Sequence, residues 1–139
     1  MIFLLVSKLL SWIMNIEEFR EYCLSFTGAD EKLPFYKSKS EYNRNILVFS
    51  VSGKWFAFVN IDKFDFCNLK SDPKNSTKLL AEYDGITPGY HMNKKHWISV
   101  YFCMDVPDKT VKDLVKASYE LVVKGLSKKN KNISVFKKL

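Results

Sequence analysis

Residues 46–61 read ILVFSVSGKWFAFVNI, in which the β-branched and aromatic runs Ile46 to Val51 and Lys54 to Ile61 meet at Ser52-Gly53. Such runs fit a pleated, half-buried surface, and a glycine-containing pair between them signals a tight hairpin. A lone hairpin is marginal in water, so the remaining chain must extend the sheet and cover one face. Leu33 to Tyr36 reads as a short strand before it, with Lys37 to Asn43 as a hairpin loop. Phe64 to Leu69 and His96 to Cys103 read as strands after it. Period two in the last strand sets Trp97, Ser99 and Tyr101 on one face, and His96, Ile98, Val100 and Phe102 on the other, taken as the core face.

Three helices are expected. Asn15 followed by Glu18 resembles a capping box, and Ile16, Phe19, Cys23 and Phe26 recur at helical spacing until Gly28. Asp72-Pro73 starts a second helix that ends near Asp84-Gly85. Val111, Leu114, Val115, Ser118, Leu121 and Val122 form the apolar stripe of the longest helix, stopping at Gly125. Gly85 to Lys95 has no periodicity and reads as a loop. The order α-β-β-β-β-α-β-α describes an α+β domain, an antiparallel sheet with helices packed on one face.

A chain of 139 residues with 47% hydrophobic and 15% aromatic residues suits one packed domain. The formal charge of +7 invites a nucleic-acid reading, but six lysines and no acid lie between Lys124 and Leu139, which leaves +1 for the first 123 residues. We divide the chain into an apolar extension, 1–13, a domain, 14–126, and a basic tail, 127–139. The extension is too short to span a bilayer and lacks a basic start and a cleavage site, so no membrane insertion is expected. It reads as an upstream extension or misassigned start, or alternatively as an amphipathic helix docking on a partner or membrane surface. Cys23, Cys67 and Cys103 show no metal or disulfide spacing and fit free thiols in a reducing cytoplasm.

The chemistry-bearing residues are few. His91 and His96 sit beside Lys94 and Lys95, with no acid or cysteine at metal-ligand spacing. No phosphate-binding glycine loop and no nucleophile with a base occur. We therefore expect no enzyme, no metal and no cofactor. The stretch Gly89 to Trp97 differs: two lysines, two imidazoles, an amide and two aromatics at a loop and strand start are ingredients for gripping phosphates and stacking on bases. A structural capping loop would use the same residues.

Leu69 to Pro73, the block Thr87 to Val100 with its His-Met-Asn-Lys-Lys-His-Trp core, Val106-Pro107-Asp108 and Ala117 to Val122 together resemble the MmcQ/YjbR family. The resemblance runs from about Met14 to Gly125. It implies a frataxin-like (CyaY-like) fold and DNA binding through a double-wing sheet. Carried onto this chain, the family's motif positions are His91, Asn93, Lys94, Lys95, His96 and Trp97, with Lys70 as a second basic position. From these we take Lys70, His91, Asn93, Lys94, Lys95, Trp97 and Tyr101 as the candidate nucleic-acid-binding residues, with Trp97 or Tyr101 on an exposed sheet face. The chain departs from the pattern between Tyr36 and Asn43, which is lengthened and lacks the glycine expected after Pro34-Phe35. Iron binding, which the frataxin-like fold invites, needs an acidic ridge; here Glu17, Glu18, Glu21, Asp30 and Glu31 are offset by Arg20 and Lys32. The open alternative is a protein- or small-ligand-interaction domain in which the motif is a structural latch.

Overall fold

The computed structural model describes residues 14–90 and 92–126. The end segments 1–13 and 127–139, and His91, therefore lie outside the described residues. The first helix, α1 (Ile16–Leu24), begins as its sequence dictates: Asn15 Oδ1 accepts the Glu18 N–H at 2.9 Å, and Glu17 and Glu18 complement the helix dipole. It buries Phe19 and Cys23 and stops at Leu24, short of the expected Gly28. Gly28, at φ +73°, then turns the chain into β1 (Ala29–Lys32).

That strand corrects the assignment of Leu33 to Tyr36, which forms turns instead. Ala29 to Lys32 has no apolar run. It is a strand because its backbone pairs along the edge of β2 (Ile46–Val51), from Ala29 opposite Val51 to Lys32 opposite Val48. Glu31 also meets Arg20 of α1 in a two-point ion pair. The expected hairpin loop contains a single helical turn, α2 (Glu41–Arg44), capped by Ser40 Oγ accepting the Asn43 N–H.

Ser52 and Gly53 both take positive φ, 50° and 76°, the geometry that lets a two-residue turn follow strand twist into β3 (Lys54–Asn60). Phe49 pairs with Ala57 but Ser50 pairs with Trp55, so Phe56 is an extra, bulged residue. Next come β4 (Phe66–Lys70) and α3 (Pro73–Glu82), the latter capped by Asp72 Oδ1 accepting the Lys74 N–H with Pro73 in the first turn. The expected loop holds a third correction, the short strand β5 (Ile86–Pro88), formed because its backbone pairs with β6 (Trp97–Tyr101). The final helix, α4 (Asp108–Gly125), buries Val111, Val115, Ser118 and Val122. The order is thus α-β-α-β-β-β-α-β-β-α, and the six strands form one antiparallel sheet, β1-β2-β3-β4-β6-β5.

Strand register separates two faces. Phe49, Ala57, Leu69 and Ile98 stand side by side across β2, β3, β4 and β6, and with Phe56 they meet Phe19 of α1 and the α4 stripe in the core. Of these, the Phe, Leu and Ile side chains each contribute about 1.5–3 kcal/mol on burial. Tyr119 fixes α4 to the turn after α1, stacking on Phe26 at 4.7 Å while its hydroxyl donates to Thr27 O. Val48, Phe58, Asn68 and Ser99 share the opposite face, which loops cover in part.

Candidate functional site

Asn93 organises the turn that carries the lysine pair. Its Oδ1 accepts the Lys95 N–H at 3.0 Å, and its backbone carbonyl accepts the N–H groups of both His96 and Trp97. Lys94 and Lys95 are left exposed together on this turn. On its near side, Gly89 donates its N–H to Trp97 O at 2.9 Å, and a Cβ at Gly89 would stand 2.7 Å from the Trp97 Cβ. Only glycine fits there without displacing the loop from β6.

His96 is exposed, which overturns its assignment to the core face. The parity was carried one residue too far: His96 ends the turn, and its carbonyl accepts the Ser71 N–H rather than a ladder bond. Trp97 does share a face with Ser99 and Tyr101, but it is only 7% exposed and so is not the open platform expected. Its ring lies 5.7 Å from Phe58, and its register neighbour Lys70 holds Nζ 6.0 Å from the ring centroid, at the outer reach of a cation–π contact. Tyr101 is half-buried, 4.9 Å from Phe66. The structure thus brings Asn93, Lys94 and Lys95 onto one turn and sets Lys70 against Trp97 at the start of β6, with Tyr101 at the other end of that strand. His91 is outside the described residues.

A feature not anticipated from sequence occupies the same sheet face: a groove of about 630 Å³, within the roughly 300–1,000 Å³ of small-molecule sites. Phe58 and Asn68 form its floor, with Phe66 and Tyr101 toward one end. Phe35 and Tyr42 line it from segment 33–45, and Tyr90 and Met92 line it from the loop that leads to the lysine turn. Burial pushes the Tyr42 phenol above its ordinary pKa, and Tyr90, Asp65 and Tyr101 add to the effect, so these groups share one partly desolvated space. The framing segment 32–44 carries Lys32, Lys37, Lys39 and Arg44 against Glu41 alone. Arg44 is committed locally, donating to the carbonyls of Ser38 and Lys39.

Alternation in the two strands was the available signal for this groove. Phe58 and Asn60 share a parity, as do Phe66 and Asn68, and an amide among apolar neighbours marks a polar point on a buried surface. Among the described residues no group of three histidine, cysteine or acidic side chains could hold a metal ion, and no helix is long and apolar enough to cross a membrane.

Comparison with known proteins agrees with this architecture. The chain is 41% identical over 100 residues to the uncharacterized protein YbdF of Escherichia coli O157:H7, covering 71% of this chain and 82% of that protein. It is 27% identical over 123 residues to the uncharacterized protein YjbR of Escherichia coli K12, covering 88% and 98%. Among solved structures, the Deinococcus radiodurans protein DR2400, a DUF419 domain, superposes with a TM-score of 0.73 at 28% identity, covering 86% of this chain and 87% of that one. A Pseudomonas syringae protein superposes with a TM-score of 0.62 at 27% identity, covering 78% and 99%. The YjbR family model matches residues 24–121, a span that includes the whole sheet from β1 to β6 and most of α4, and the chain belongs to the YjbR family.

Proposed function

We propose that this chain is a non-enzymatic DNA-binding module that receives DNA on the sheet face opposite α1 and α4. The observation that carries the reading is the exposed Lys94 and Lys95 pair, held on an Asn93-tied turn beside an aromatic groove. Paired ammonium groups on a fixed turn suit adjacent phosphates, and aromatic side chains on a concave sheet suit unpaired bases. Single-stranded DNA is therefore the better fit. In this reading Trp97 supports the turn and the Lys70 stem from below, and Tyr101 faces the ligand. The free cysteines, Cys23 and Cys67 buried and Cys103 exposed, suit a reducing cytoplasm.

A second reading, a protein- or small-ligand-interaction domain, is favoured by the structural duties of Gly89, Asn93 and Trp97, which use up much of the motif in holding the loop. Titration of labelled single-stranded and duplex DNA across a salt series separates the two. The DNA reading expects single-strand binding that weakens steeply with salt. Absence of binding at low salt, where phosphate attraction is strongest, refutes it and leaves the interaction domain.

A further inference from the structure

We infer that the groove is a base-binding subsite, taking one planar nitrogen heterocycle of the nucleobase class with its acceptor edge on Asn68 and its face on the flanking aromatic rings. Asn68 is 3% exposed and lines the groove floor. Its orientation follows from a chain of hydrogen bonds. The Tyr90 N–H donates to Ser99 Oγ at 2.9 Å, so the Ser99 proton goes to Asn68 Oδ1, 2.6 Å away. That makes Oδ1 the acceptor end and leaves Nδ2 as the donor end, open to the groove that Asn68 lines rather than sealed in the core. A ligand seated on the aromatic rings would take the water from this donor end, and a keto oxygen or ring nitrogen supplies the matching acceptor. The rings stand to either side: Trp55 and Phe58, 5.8 Å apart, and Phe66 and Tyr101. Every nucleobase has an acceptor edge and a stackable face.

The ligand class rests on the nucleic-acid reading above, and a base could come from a strand or from a free nucleotide. Thymidine and cytidine, which lack phosphate, and decathymidylate are the probes, titrated into the full chain while the Asn68 side-chain NH₂ resonances are followed. Both nucleosides are expected to shift those resonances. Asn68→Asp, which replaces the donors with acceptors in the same shape, should weaken nucleoside binding by about tenfold or more. Asn68→Leu gives a second, uncharged removal of the donors, and matched thermal unfolding confirms that each variant folds. Lys94→Ala with Lys95→Ala should leave nucleoside binding unchanged and weaken decathymidylate. Nucleosides that leave Asn68 unmoved, or variants that bind them as the parent does, overturn the subsite, even if decathymidylate binds through the lysines. Nucleoside binding at Asn68 with no gain for decathymidylate sustains the subsite as a free-nucleoside pocket and removes the strand reading.

Discussion

The Ser118 hydroxyl, on α4, accepts the backbone N–H of Lys70 at 2.8 Å, a bond between residues 48 apart in sequence. The same hydroxyl donates to Phe56 O, the carbonyl of the bulged residue in β3. Where the bulge interrupts the β3–β4 ladder, one serine thus stands in for the missing backbone bond and at the same time fixes the end of β4 that carries Lys70.

Ser118→Ala should therefore be far costlier than the loss of one oxygen suggests. It strands a part-buried donor and a buried acceptor, and with each unmatched group costing about 1–3 kcal/mol the expected loss is about 2–6 kcal/mol. Denaturant unfolding measures it. A loss below half a kcal/mol would mean that the ladder closes on its own once the hydroxyl is gone.

Gly89→Ala tests whether the lysine turn depends on contact with β6. The added methyl would lie 3.0 Å from the Trp97 carbonyl carbon and oxygen, as well as crowding the Trp97 Cβ. Overpacking of this kind costs about 1–3 kcal/mol. The damage should be local: faster amide exchange at Gly89 and Tyr90, whose N–H groups bond Trp97 O and Ser99 Oγ, and unchanged exchange in β2 and β3. Uniformly faster exchange would contradict this local account.

These two residues also show what sequence could reveal. The caps at Asn15 and Asp72, the Ser52-Gly53 turn and the α4 stripe were legible because each is decided within a few residues. β1 and β5 were not, since Ala29 to Lys32 and Ile86 to Pro88 become strands only through the backbones of β2 and β6. The His96 error has a similar origin: alternation gives parity, but the point where a ladder begins is set by a distant partner, here Ser71. The lysine pair was legible as a motif. The groove was not, because Asn68 and Ser99 are 31 residues apart and become neighbours only in the β4–β6 register.

Asp105 gives the fold a defined acid response. Its carboxylate accepts the N–H groups of Gly85 and Asp84, both at 2.7 Å, and these bonds hold its pKa below the ordinary aspartate value. A depressed folded pKa means stabilisation that is full above about 3.9, the unfolded value, and is lost as pH falls through the folded one. Asp105→Asn should lower the melting temperature at neutral pH and narrow the gap to the parent as pH drops below about 3.9. A gap that is constant with pH would show that the carboxylate charge is not what matters.

The three cysteines should divide two to one. Burial pushes the thiols of Cys23 and Cys67 well above the ordinary range, and Cys67 adds to the shift at Cys23. Cys103 is exposed on the turn after β6. A thiol-reactive reagent at mild alkaline pH should label one cysteine per folded chain, Cys103, with Cys23 and Cys67 reacting only on unfolding. Mass mapping of a Cys103→Ser variant settles it, and rapid labelling of that variant would show that the core opens readily.

Charge separates the turn from the tail. The domain over 14–126 carries 16 basic and 15 acidic residues, so the DNA binding proposed for it would have to come from local placement, whereas the segment after Leu126 has five lysines and no acid. If Lys94 and Lys95 each neutralise a phosphate of a single strand, replacing both by alanine should flatten the plot of log K against log salt by about 1.4, at roughly 0.7 per contact. Truncation after Leu126 should only lower affinity, leaving the proposed preference for single strands over duplex in place, because the proposal puts that preference in the aromatic sheet face. Binding that tracks the tail alone would reverse the ranking: the double alanine variant would keep the parental slope, and the truncated chain would lose both slope and affinity. That reversal would remove the turn from the DNA contact and leave Asn93 and Gly89 as the fastenings of a purely structural loop.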